Sequence, residues 1–410
     1  MSPLKGGFFY GGTLMNIPSF LKRNKKQKGR LWAYGNRASK TNHDYGLMAA
    51  EGYEKNVIVY RCINLIAKNL ALPPWVLYEG GHALSHHFLL TLIAQPNPLQ
   101  TRYAFLEELA SYLLIDGNAF VEAVYQNDAL SALKVHRPDR VHVMKDKEGQ
   151  VQGYQVSGDD GEKRVLAIDQ ETGFSPMLHL KLFSPSNAHY GMSPIQVASS
   201  AIDQHNAVGL HNLSLLKNGG RPSGALMMPG STTSFSDNSR QELKKNLQYF
   251  YQGEENAGKV LVLEGGMEWK DIGMSPKDLD FVSGKHLSMR EIAQAFGVPS
   301  MLVGVPGDST FSNYREARFH LWEDTVLPLL HMILEKMNGW LVMLYGPTLR
   351  FSYDADQIPA LTCRRERLWQ QIEHASFLTI NEKRAALGYS PLKGGDGLEG
   401  GQRDDTKNTP

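Results

Sequence analysis

The sequence predicts an α+β protein: a β-rich body, two long helices that run out to a small α/β head and back, and a helical C-terminal region. Three observations predict it. From Asn118 to Phe183 apolar residues alternate with a period of two. Helical spacing fills 194–217 and again 276–296, with a short strand–helix–strand unit between. A Gly/Pro-rich loop then leads into a long helix that carries a proline, Pro328, in its middle.

In chain order, Tyr53–Leu72 carries Val57, Tyr60, Ile63, Ile66, Ala67 and Leu70 at helical steps and stops at Pro73-Pro74. Trp75–Glu79 reads as a strand and Phe88–Ala94 as a short helix. Thr101 caps an amphipathic helix to Ile115. The period-two stretch that follows contains six strands parted by turn residues and predicts one meandering antiparallel sheet. Ser193-Pro194 opens a helix to Lys217, closed by Asn218-Gly219-Gly220. Strands at 224–228, 259–264 and 267–273 and a helix at 237–251 make the small head. Ser275-Pro276 starts the returning helix, which Gly297 and Pro299 end. Residues 300–311 read as a loop, with Ser312 or Asn313 capping the next helix and Pro328 bending it. Helices at 361–377 and 380–387 finish the fold.

The chain has 410 residues, 42% hydrophobic and 21% charged, which is ordinary for a globular protein of two to four domains. No apolar run approaches the ~18–20 residues of a membrane span, so no membrane contact is expected, and no secretory signal is read at the N-terminus. Cys62 and Cys363 are expected as unpaired thiols. Net charge is +1, but residues 1–43 hold nine Lys or Arg and no Asp or Glu. A basic arm on a mildly acidic body suggests an anionic partner, nucleic acid or protein, or else a solvated tail.

Chemistry is scarce. Gly395–Gly400 has the glycine spacing of a dinucleotide loop but follows no strand and precedes no helix. Ser283-Gly284-Lys285-His286 lacks the upstream glycine of a phosphate loop. His86-His87 has no further ligand at metal spacing. Ser131 with Lys134, and Ser390 with Lys393, match a serine–lysine spacing that arises often by chance. No cofactor, metal or catalytic residue is expected, and the chain is read as a non-enzyme. A stalk of two long helices cannot bury both faces in one copy, which points to an oligomer; head-to-tail contacts that close make a ring.

The phrases YRCINLIAKNLALPPWVLY (60–78), GNAFVEAVY (117–125), HYGMSPIQVASSAI (189–202), NGGRPSGAL (218–226), AGKVLVLEGGMEW (257–269), REIAQAFGVPSMLVG (290–304), SNYREARF (312–319) and LTINEKRAALGYSPLKGGD (378–396) stand in one order. In that order they resemble portal proteins of tailed bacteriophages, of the siphophage type with a compact clip. No single phrase is a catalytic signature.

The resemblance implies a basic arm at 1–49, a wing at 50–193, stem helices at 194–217 and 276–297, and a clip at 218–275. It implies a tunnel loop at 298–311, a long kinked helix returning to the wing at 312–355, and a crown with the C-terminal tail at 356–410. The channel-lining residues would be Val298, Pro299, Ser300, Met301, Leu302, Val303, Gly304, Val305, Pro306, Gly307, Asp308, Ser309, Thr310 and Phe311. Lys285 and His286 on the second stem helix could touch phosphates, and Pro328 would mark the kink. Implied partners are further copies of the chain in a ring of twelve, double-stranded DNA, the terminase large subunit, a head–tail adaptor, and the major capsid or scaffold protein. The implied place is a capsid vertex of the virion, after assembly in the host cytoplasm. The tunnel stretch has no Lys or Arg, which suits a lining that must let phosphates slide. The competing expectation is another non-catalytic capsid or scaffold protein of the phage head.

Overall fold

Asn56 begins the first long helix, α1 (Val57–Ala71): its Oδ1 accepts from the backbone N–H of Ile58 at 3.0 Å and Val59 at 3.2 Å. The computed structural model describes residues 45–127, 129–158, 160–217, 224–227, 267–271, 281–305, 311–358, 369–387 and 391–398, with isolated positions at 238, 241–242, 245, 249 and 360–361. The basic arm, strand 259–264, Ser275-Pro276 and Cys363 lie outside these residues. So does all of the first of the two units into which the chain divides, Met1–Arg37.

The helix begins later than its apolar pattern suggests, because a wide π-type turn occupies Met48–Glu54 and Asn56 supplies a true cap. Ile58, Val59, Cys62, Ile63, Ile66, Ala67 and Leu70 are buried on one face, as helical spacing requires. Strands β1 (Trp75–Glu79) and β2 (His82–Leu84) follow, then α2 (Phe88–Ala94). His87 caps α2 by accepting from Leu89 N–H on Nδ1 at 3.1 Å, so this histidine has a structural task. Helix α3 (Arg102–Asp116) starts at the Thr101 cap, packs along α1 and ends at Gly117, whose φ of +83° only glycine adopts easily.

The period-two region contains six strands: β3 (Asn118–Gln126), β4 (Ala129–His136), β5 (Val141–Lys145), β6 (Val151–Ser157), β7 (Lys163–Ala167) and β8 (Met177–Lys181). They form two sheets, not the single meander expected. One has the order β4-β3-β8 and the other β5-β6-β7. The reason is local: Pro138–Arg140 form a 3-10 turn that carries the chain off the edge of β4, and β8 returns to pair with β3, Asn118 opposite Lys181. Phe120, Val141, Val143, Tyr154, Val156 and Met177 fill the space between the sheets. A third sheet, β11-β1-β2, uses β11 (Leu349–Tyr353) from far down the chain.

The helix opened by Ser193-Pro194 is interrupted at Ala198 into α4 (Pro194–Val197) and α5 (Ser199–Lys217). Strands β9 (Gly224–Met227) and β10 (Glu268–Asp271) pair antiparallel, Gly224 opposite Asp271, and α6 (Phe281–Ala295) packs along α5. Next come α7 (Phe311–His320), a wide π-type turn over Leu321–Val326 and α8 (Leu327–Trp340). Since α7 already contains Phe311, Ser312 and Asn313 lie in its first turn and are not its cap. The last helix, α9 (Ile380–Ala386), has a capping box between Thr379 and Glu382. Among the described residues no helix is long and apolar enough to cross a membrane.

Candidate stem, joint and channel elements

Two polar knots tie the stalk to the wing. In the first, Asn118 at the start of β3 joins four segments. Its Nδ2 donates to Asp116 Oδ2 at 2.8 Å, and its Oδ1 accepts from Gly191 N–H at 2.7 Å and from His179 Nε2 at 3.0 Å. Ser193 Oγ caps α4 through Ile195 N–H and donates to the Leu114 carbonyl at 3.2 Å. Tyr190 adds the second sheet, its hydroxyl accepting from Val143 N–H at 2.9 Å. Here Gly117 and Gly191 cross so closely that a Cβ on either would meet backbone atoms below 3 Å.

His179 stacks on Phe120 with ring centroids 4.3 Å apart. Burial, with the positive charge of Lys181 nearby, lowers its pKa to about 3. The unfolded chain takes up this proton near pH 6.5, whereas the folded chain refuses it until near pH 3. The contribution is therefore intact above pH 6.5 and falls by ~1.4 kcal/mol per pH unit as acid is added. A His179→Gln subunit keeps an amide donor for Asn118. Between pH 7 and pH 5 it is expected to lose about 2 kcal/mol less unfolding free energy than the wild type. Equal pH slopes in urea titrations would remove the assignment.

The second knot lies one turn beyond. Asn56 Nδ2 donates to Asn206 Oδ1 at 3.0 Å and lies 3.2 Å from His205 Nδ1, while Asn206 donates to the Glu51 carbonyl at 3.0 Å. The α1 cap and the stalk helix α5 thus share one set of hydrogen bonds. Burial, then Lys285 on α6, depresses the His205 pKa. Lys285 is therefore half-buried beside α5, a different setting from the free phosphate contact expected of it; His286 is half-buried as well.

Away from the knots the stalk is bare. On α5 Ala201, Ile202 and His205 are buried, but Leu210 is 64% exposed and Leu213 48%. On α6 Ser288, Ile292 and Ala293 are buried, but Val282 is 69% exposed and Leu287 54%. Apolar side chains along both helices remain uncovered in a single copy.

The expected tunnel stretch divides in two. Val298, Leu302, Val303 and Val305 are buried inside the subunit, Ser300–Val303 form a 3-10 turn, and Arg61 Nε donates to the Leu302 carbonyl at 3.5 Å. Buried side chains cannot line a channel, so these four are corrected to core. Their apolar character was the sequence signal, outweighed in the reading by the neighbouring glycines and proline. Pro299, Ser300 and Met301 are half-buried and Gly304 is exposed. Pro306, Gly307, Asp308, Ser309 and Thr310 lie outside the described residues, and Phe311 opens α7. Pro328 sits exposed in the first turn of α8. The wide turn before it, in which Leu327 N–H reaches Trp322 O, takes up the hydrogen bond that the proline cannot make. Among the described residues no cluster of His, Cys, Asp or Glu could hold a metal.

A jointed stalk with uncovered apolar faces, set on a wing of small sheets, defines a structural subunit of a larger assembly. The chain belongs to the phage portal protein family, whose sequence profile matches residues 57–388. It is thus a structural protein of the head–tail connector and not an enzyme. An uncharacterized protein of Rickettsia bellii is 37% identical over 399 residues, which cover 95% of this chain and 98% of the relative. A chain in the neck of an empty GTA (gene transfer agent) particle, computed with C6 symmetry, is 36% identical with a TM-score of 0.67. It covers 85% of this chain and 94% of its own. A chain in the neck of the native particle, computed with C12 symmetry, is 36% identical with a TM-score of 0.64, at 85% and 93% coverage.

Proposed function

We propose that twelve copies of this chain close into a ring at one capsid vertex, and that double-stranded DNA passes through its central channel during packaging and ejection. The observation that carries this reading is the uncovered stalk. Leu210, Leu213, Val282 and Leu287 need apolar cover, and a head-to-tail neighbour supplies it in a closed ring. The likeness to a chain in a C12 particle neck supports the number twelve. In this reading 50–193 is the wing, α5 and α6 are the stem, 218–275 is the clip, and 356–410 holds the crown and tail. Residues 306–310, flanked by Gly304 and Phe311, line the narrowest part, and Pro328 marks the bend of the long helix. The clip docks the terminase large subunit and later a head–tail adaptor, and the wing meets the major capsid or scaffold protein. Assembly takes place in the host cytoplasm and the ring ends in the virion.

Electron microscopy and mass photometry of the purified full chain test it. Rings of twelve with a central hole are expected. A population of monomers at every concentration, or open filaments, would sink the reading.

A further inference from the structure

Beside the 3-10 turn a small cleft of about 160 Å³ opens between α1 and α7, lined by Arg61, Asn69, Leu302, Tyr314, Arg318 and Trp322, with Leu65 and Leu321 completing it. Its floor is apolar, since Leu321 and Trp322 are each 2% exposed. Its rim carries two guanidinium groups, and no carboxylate lines it among the described residues. Arg61 spends only its Nε on the Leu302 carbonyl, and Arg318 has no partner among the described residues. Two free arginine forks at the mouth of an apolar slot are a receptor for a planar anion.

Size decides the kind of anion. The cleft is well below the ~300 Å³ at which small-molecule sites begin, and it suits one side chain. A phosphate of duplex DNA carries its sugar with it and stays hydrated, whereas a glutamate brings an aliphatic stem for the floor and a carboxylate for the rim. The geometry points to a carboxylate of the adjacent copy of this chain, and α7 presents one. Ala317 is the buried centre of α7. Arg318 follows it by one residue and Glu316 precedes it by one, so the two charges stand about 100° to either side of the buried face. Glu316 is exposed and has no partner among the described residues. In a head-to-tail ring the two flanks of one element face the two different neighbours. Glu316 of each copy therefore enters the Arg61–Arg318 cleft of the next, and each cleft is incomplete without its neighbour. This inference rests on the ring reading.

The test is a charge exchange in the full chain. Arg318→Glu and Glu316→Arg are each expected to weaken ring formation at least about tenfold by like-charge contact, and the double variant to restore it. Mass photometry reads the ring fraction, and circular dichroism confirms that each subunit is folded. If a reversal unfolds the subunit, Arg318→Gln and Glu316→Gln give the same comparison with a smaller loss. Single variants that form rings as the wild type does would overturn the inference, as would a double variant no better than the singles. Normal rings that hold DNA less tightly as salt rises would show instead that the cleft serves phosphate. A wild-type chain that never forms rings would remove the ring reading and the cleft pairing together.

Discussion

Changing Gly191 to alanine is expected to cost the subunit more than about 3 kcal/mol of stability, enough to remove most folded protein at 37 °C. The added Cβ would lie 2.1 Å from the Gly117 carbonyl oxygen and 2.7 Å from the backbone N and O of Leu182. These are backbone atoms, so no rotamer change relieves the clash. Nor can the segments part easily, because Leu182 N–H donates to Gly117 O at 2.9 Å and Gly191 N–H to Asn118 Oδ1 at 2.7 Å. Gly209→Ala is the control. It lies in α5 with nothing within 4 Å of the new methyl, and replacing a helical glycine there should stabilise by ~0.5–1 kcal/mol. Urea unfolding of both variants measures the contrast. A Gly191→Ala midpoint equal to wild type would mean that the crossing at the joint is looser than drawn here.

The second large effect is expected at Glu122, on β3 and 4% exposed. His136 Nε2 on β4 lies 2.6 Å from its Oε2, and Arg164 on β7 holds both carboxylate oxygens. One carboxylate thereby clasps the two wing sheets together. Burial raises its pKa, but the hydrogen bonds from His136 and Arg164 outweigh burial and leave it below the usual value. The contribution is present above the ordinary carboxylate range and is lost as pH falls through the depressed value. It fails at lower pH than the loss that begins near pH 6.5 at His179. Glu122→Ala leaves His136 buried beside an arginine without an anion. The cost is expected near 3 kcal/mol, the low end for a broken buried pair, because the Arg164 side chain is half exposed and regains water. A double-mutant cycle with Arg164→Ala should show coupling between the two sites. Additive losses would show that the clasp is only a surface pair.

The elements legible in the sequence were those whose signals are local. Phe88–Ala94, the Thr101 cap, the six strands of 118–183 and the out-and-back stalk stand where spacing and capping residues put them. Strand partners were not legible, because a period of two tells which side chains share a face but not which strand lies alongside. β8 pairs with β3 across more than fifty residues of chain that form four other strands. The joint was visible only as wording. GNAF and HYGMSP stood among the phrases that carried the family resemblance, yet nothing in either shows that Gly117 and Gly191 touch. Val298–Val305 erred the other way: glycine and proline suggested an open loop, while four apolar side chains were already enough to root it in the core.

The wide turn at Leu321–Val326 holds one residue more than an α-helix of the same rise would need. Removing a single residue there would let every hydrogen bond return to ordinary helical spacing, a local gain. It would also rotate all that follows by about 100°, carrying Leu330, Ile333, Leu334 and Met337 off the core they now fill. The surplus residue therefore works as a phase setting between two halves of one rod, and a length change at this spot is worse than most substitutions along it.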